Sequence, residues 1–277
     1  METEEQVDTQ KELGMWMTTN LMPTEHRKNA VQKATGTLHW IRQAFKLFAP
    51  ELFGKIFGAF VTPDLDYQTP VWTPWLKKDV NLLEQVQRRA AKMVDGLREI
   101  QRIKDAIDNY PDFPKMGIQF KDIFGIFRNP ALVQESIDVL AELVAKHYTK
   151  NKPLDAIVAM DARGFLLGPM LAVKLNCAFI PIRKAKKLPG ECYSEEYELE
   201  YGKAILELQK SALSPGARVL VLDDLIAIGG TLAAACKLVR KASAEPVGCV
   251  VLLELADLNG REKLEELGVS VQSLITL

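Results

Sequence analysis

The sequence predicts a doubly wound, mainly parallel α/β sheet with a small hood or flap, preceded by a mostly helical extension. Three observations carry this. Four short runs rich in Val, Ile and Leu show almost no polar alternation, as strands buried on both faces should. Between them lie stretches with apolar residues at helical spacing. Strands and helices alternate along the chain, which is the order of βαβ units.

Residues 1–95 differ in character from the rest. Large aromatics such as Trp40, Phe45, Phe53, Trp72 and Trp75 mix there with Pro50, Pro63, Pro70 and Pro74. This predicts an extension over 1–95 that is helical or partly disordered, and one α/β domain over 96–277. Within the domain, Ala131–His147 reads as a helix, Leu154–Met160 as a strand, Phe165–Leu175 as a helix and Ala178–Arg183 as a strand. Tyr197–Lys210 alternates polar and apolar residues, which suggests a hairpin or flap outside the main sheet. Arg218–Leu225 is the third buried strand and Thr231–Ala242 the helix after it. Val247–Leu255 and Arg261–Leu267 complete the pattern as a strand and a helix.

Composition narrows the function classes. The 277 residues carry a formal net charge of -1, so no global field draws the protein to nucleic acid or to an anionic membrane. No apolar run approaches bilayer length, and the acidic start METEEQVDTQ lacks the regions of a signal peptide. Cys177, Cys192, Cys236 and Cys249 form no close-spaced pair and read as reduced thiols of a cytoplasmic protein. His26, His39 and His147 share no metal-ligand spacing.

In open sheets of this kind ligands bind beyond the carboxyl ends of the strands. Three such ends are chemically unusual here. One runs into Asp161-Ala162-Arg163-Gly164, one into Arg183-Lys184 with Lys186 and Lys187 behind, and one into Asp223-Asp224. The last continues through Ala227, Ile228, Gly229 and Gly230 to Thr231 at a helix start. Paired glycines let backbone N–H groups close around an anion, and the helix N-terminus adds its positive dipole end. The two carboxylates suit ribose hydroxyls or the waters of a magnesium ion. A 5-phosphorylated ribose satisfies both halves of this loop. The alternative is an ordinary Gly-Gly helix start beside solvated aspartates. Neither GxxxxGK[ST] nor GxGxxG occurs, so the loops of P-loop NTPases and dinucleotide folds lack their fingerprints.

Val219–Thr231 resembles the signature that binds phosphoribosyl pyrophosphate (PRPP) in the phosphoribosyltransferases. The surrounding blocks resemble the adenine phosphoribosyltransferases in particular, in the right order over residues 110–277: Tyr110–Ile123, Asp161–Pro169, Ile182–Gly190, Leu199–Leu213 and Leu252–Leu264. The resemblance implies transfer of 5-phosphoribosyl from PRPP to adenine, giving AMP and pyrophosphate, in a homodimer, with magnesium carried in on PRPP and few or no direct protein ligands. It implies that Asp161, Ala162 and Arg163 hold pyrophosphate, that Arg183 and Lys184 form a second cationic wall, and that Lys187 joins on closure of a lid over Lys187–Glu196. Phe120 matches the aromatic residue beside the base, and the backbone near Gln119 and Lys121 reads the adenine edge. Glu200 matches the acid that handles the purine proton. Asp223 and Asp224 match the ribose- and magnesium-associated acids, and Ala227, Ile228, Gly229, Gly230 and Thr231 the phosphate loop.

Departures from the family pattern keep a second class of function open. Ile228 stands where the family has threonine, Phe124-Gly125 where Ser/Thr-Pro is common, Met116 where proline is expected, and the lid is acidic. An inactive or weak paralogue that binds PRPP or AMP, as a sensor or scaffold, shares these features with an active enzyme. Residues Gln32–Leu97 resemble the region after the polymerase domain in reverse transcriptases of non-LTR retrotransposons, without the polymerase aspartates.

Overall fold

Strand β5 (Ala156–Met160) is buried at every residue, and β10 (Glu245–Glu254) at its last seven. Apolar side chains on both faces leave such strands one place, the middle of a layered sheet. The computed structural model describes residues 9–12, 15–18, 24–44, 59, 84–85, 88, 96–150, 152–198 and 203–277. It divides into two units, Met1–Gln101 and Arg102–Leu277.

In the first unit, β1 (Thr9–Glu12) pairs antiparallel with β2 (Met15–Thr18), and α1 spans Thr24–Ala44. Ala34 and Leu38, one helical turn apart, are buried. Most of the retroelement-like stretch, including Trp72 and Trp75, lies outside the described residues.

The second unit contains a two-stranded antiparallel hood, β3 (Asp108–Pro111) and β4 (Gln119–Asp122). Helix α2 (Phe124–Phe127) is a single turn, and α3 (Pro130–His147) starts on Asn129, whose side chain accepts from the N–H groups of Ala131 and Leu132. There follow β5, α4 (Gly164–Leu175), β6 (Ala178–Lys184), β7 (Cys192–Glu198), β8 (Lys203–Gln209), β9 (Arg218–Ile226), α5 (Gly230–Lys241), β10, α6 (Glu262–Glu265) and β11 (Val271–Thr276). The main sheet has seven strands in the order β11-β10-β9-β5-β6-β8-β7. Its first five are parallel; β7 and β8 add antiparallel at one edge.

Alternation along the strands sends neighbouring side chains to opposite faces. Ile180 and Ile182 join Val158, Val221 and Val251 in the core under α5. Phe179, one residue away, faces the other side and meets Phe165 of α4 edge-on at 5.8 Å. Helices therefore cover both faces, as the sequence pattern predicts. Cys236 of α5 and Cys249 of β10 are buried free thiols with sulfurs 3.6 Å apart. No helix among the described residues is long and apolar enough to cross a membrane.

Three expectations need correction. The hairpin within Tyr197–Lys210 is not outside the main sheet. Arg183 and Lys184 pair with Glu207 and Leu206, so the hairpin extends the sheet. Its first strand starts at Cys192, which puts half of the predicted lid into regular structure. The helix expected over Arg261–Leu267 shrinks to α6, and β11, which the sequence pattern misses, closes the far edge.

Candidate active site

Asp223 and Asp224 lie near the carboxyl end of β9, one on each side of the alternation. The Asp224 N–H donates to Asp223 Oδ1 at 2.9 Å. Burial, reinforced by the neighbouring Asp224 charge, pushes the Asp223 carboxyl well above the usual carboxylate range. Asp224, 5% exposed, is pushed up by burial and pulled back by Arg163. Arg163 Nε stands 2.9 Å from Asp224 Oδ2, yet its N–H is not aligned on that oxygen, which has no hydrogen bond. A buried acceptor with no donor is suited to receive a hydroxyl.

Beyond β9 the chain makes the loop expected from its sequence to hold the 5-phosphate. Ala227 and Ile228 are half-buried, Gly229 has φ of 75° and α5 begins at Gly230. A side chain at Gly229 would be strained, because this left-handed backbone favours glycine. Thr231 sits in the first turn. Burial raises the phenol of Tyr197 of β7, with Asp223 and Asp161 adding to the rise and the neighbouring Thr231 hydroxyl opposing it. Sequence reasoning assigns Tyr197 no role. Its signal was the alternation of the hairpin strand, which marks it as facing inward but names no partner.

The β5 exit is the second wall. Asp161 and Ala162 are joined by a cis peptide bond, and Arg163 precedes α4. From there Arg163 reaches three neighbours: Asp224, the Lys121 carbonyl at 3.3 Å through Nη1, and the Phe120 ring, whose centroid is 5.2 Å from its guanidinium carbon. Phe120 meets Phe113 edge-on at 5.0 Å, and Lys121 Nζ donates to Asn109 Oδ1 at 2.5 Å. The hood strand β4, with exposed Gln119 and half-buried Phe120 and Lys121, is thus tied to the sheet edge by one arginine.

At the β6 exit, Arg183 Nε donates to Asp161 Oδ2 at 3.2 Å and Nη1 to the Lys187 carbonyl at 3.2 Å. Lys184 and Lys187 are exposed. Glu200, which follows β7 in the sequence, lies outside the described residues. Strand β7 is anchored to α5. Glu195 pairs with Lys241 at 2.7 Å and Lys237 at 3.5 Å, and Lys241 Nζ donates to the Ser194 carbonyl at 2.5 Å. Among the described residues no cluster of His, Cys, Asp and Glu could hold a metal by itself.

These three exits bring together a Gly-Gly turn at a helix start, a buried acid pair and an arginine that reaches across to β4. The model of the phosphoribosyl transferase domain matches residues 125–275. Adenine phosphoribosyltransferase of Cricetulus griseus is 48% identical over 166 residues, 60% of this chain and 91% of its own length. That of Homo sapiens is 48% identical over 167 residues, with the same shares. The crystal structure of the Saccharomyces cerevisiae enzyme, complexed with an imino-altritol bisphosphate and adenine, aligns with a TM-score of 0.61 and 43% identity, covering 64% of this chain and 99% of that one. By domain match, sequence and fold alike, the chain belongs to the phosphoribosyl transferase family.

Proposed function

We propose that the protein is a purine-salvage enzyme that makes AMP and pyrophosphate from adenine and PRPP. One observation carries the reading: Arg163 links the hood strand of the base side, through Phe120 and the Lys121 carbonyl, to the ribose-side acid Asp224. It is the juncture where adenine and the C1 carbon of PRPP would have to meet. The adenine phosphoribosyltransferases related to this chain support the choice of base.

In the reaction the N9 lone pair of adenine forms a bond to ribose C1, and the C1–oxygen bond to pyrophosphate breaks with its electron pair on the leaving group. Positioning and charge stabilisation supply most of the rate. The Gly229–Thr231 backbone and hydroxyl hold the 5-phosphate. Asp223 and Asp224 accept from the ribose hydroxyls, which gives Asp224 Oδ2 the donor it lacks. Arg163, Arg183, Lys184 and, as the lid closes, Lys187 stabilise pyrophosphate oxygens. Glu200 takes the N9 proton.

Magnesium fits this site as a companion of PRPP, because the acid pair can hold its waters, and it supplies neutralisation of pyrophosphate charge when bound. The family resemblance supports a homodimer, and the spacing of the cysteines supports a cytoplasmic setting. The test is an assay of adenine, PRPP and magnesium, run beside hypoxanthine and guanine. AMP formation from adenine alone is expected; silence with all three bases would overturn the activity. Glu200→Gln is expected to lower kcat by about 10²–10⁴ while sparing adenine binding.

A further inference from the structure

The block Leu252–Leu264 belongs to the resemblance but has no task in the chemistry above. Glu254, at the end of β10, pairs in register with Ile226 at the end of β9, and the Leu255 N–H donates to the Ile226 carbonyl at 3.0 Å. The chain then turns through Ala256–Leu258 and Asn259, whose φ is 50°, and brings Gly260 against the back of the phosphate loop. The approach excludes side chains from both strands of the contact. A Cβ on Gly260 would stand 2.2 Å from the Ala227 carbonyl oxygen and 2.9 Å from Gly229 N. A Cβ on Gly229 would stand 2.2 Å from the Gly260 carbonyl oxygen. Fully buried Leu264 closes the remaining side, 3.2 Å from the same point.

Arg261 holds this turn in place. Its Nε and Nη2 fork onto the two oxygens of Glu254, the Nη2 arm at 2.6 Å. Nη1 donates to the Val271 carbonyl, and Nη2 also donates to Ser273 Oγ at 3.1 Å. Ser273 in turn donates to Glu254 Oε2 at 2.5 Å. Glu254 is 7% exposed, and the Arg261 guanidinium holds its carboxyl below the usual range. A planar fork fixes orientation as well as distance, which a lysine cannot reproduce.

We propose that Arg261, through its fork to Glu254, is a positioning residue for PRPP: it seats the Gly260 backbone against Gly229 and so holds the phosphate loop in its binding shape before the ligand arrives. The inference rests on the reading of Ala227–Thr231 as the 5-phosphate loop. A loop already in shape needs no ordering when its ligand binds. Release of the turn therefore weakens PRPP and spares adenine, whose contacts come from β4 and the β5 exit.

The test uses the full chain, with adenine and PRPP varied separately and PRPP affinity measured by calorimetry. Arg261→Gln is expected to raise KM and Kd for PRPP about 10- to 100-fold, as a small misplacement from a distant change can, with adenine KM changed less than about twofold. Arg261→Lys should recover only part of this. Glu254→Gln should match Arg261→Gln, and the double variant should be no worse than either single, since the two act as a unit. Parallel rises in both KM values, unchanged PRPP affinity, or additive losses would overturn the proposal. If Arg261→Gln does not fold, Gly260→Ala asks the same question with the ion pair intact, and an unaltered PRPP KM there is equally fatal. A wild type that binds PRPP without turnover ends the activity reading and leaves this inference to the affinities. A wild type that does not bind PRPP ends the loop assignment and this inference with it.

Discussion

The β9 and β5 exits lie side by side in the sheet and are held in different ways. At β9, the loop Ala227–Thr231 is shaped by backbone against backbone, Gly229 on Gly260, with no space for a Cβ at either. At β5, the turn is held by side chains: Arg163 spans to Asp224, Phe120 and the Lys121 carbonyl, and Asp161 is met by Arg183. A backbone device of this kind has no room for a side chain at Gly229 or Gly260. A side-chain device can rotate, so its ion pairs can be remade without moving the chain.

The largest expected effect tests the side-chain wall. Arg163→Ala should lower kcat/KM by about 10²–10³, the usual loss for one transition-state donor, in initial-rate assays. A loss below tenfold would remove Arg163 from the centre of the comparison. At the backbone wall, Gly229→Ala places a Cβ against the Gly260 carbonyl and strains a left-handed residue. A cost of about 1–3 kcal/mol is expected, read as lower thermal stability and weaker PRPP binding. Normal behaviour would show that the loop yields more than the close contact suggests.

Ile228→Thr sharpens the contrast by adding a side-chain hydroxyl to a loop run by backbone. One restored hydrogen bond is worth about 1 kcal/mol, or 1.5–3 to a charged group, so PRPP should bind roughly 5- to 100-fold tighter. Weaker or unchanged affinity in calorimetry would mean that the half-buried isoleucine is already accommodated.

The smallest effect is on stability. Burial and Asp224 raise the Asp223 pKa in the folded state above its unfolded value. The native state then holds the extra proton, so stability is lost as pH rises from the ordinary carboxylate range through the raised value. Asp223→Asn removes that loss. At neutral pH the variant should melt roughly 2–4 °C higher for each 1 kcal/mol gained, while turnover falls. The difference should vanish in acid. A lower Tm at neutral pH would show that Asp223 is stabilised by its surroundings.

The sequence by itself determined the layered sheet, because four unbroken apolar runs fit only strands covered on both faces, and they became β5, β6, β9 and β10. It also located Asp161–Arg163, Arg183, Asp223–Asp224 and the Gly229-Gly230 turn, because each follows directly from a strand end and local chemistry there needs no distant partner. The hairpin's place in the sheet was not legible, because alternation sets which face a residue takes but not which edge the strand joins. Nor were the pairing of β11 with β10, the Arg163–Phe120 contact, the nearness of Tyr197 to Thr231 or the meeting of Gly260 with Gly229. Those contacts join residues more than 20 positions apart, and only folding sets such distances. Local propensity and strand-end chemistry are written in short stretches of chain. Which side chain completes a site across that distance is decided by the tertiary packing that brings β4, β7 and the β10–α6 turn to the same edge.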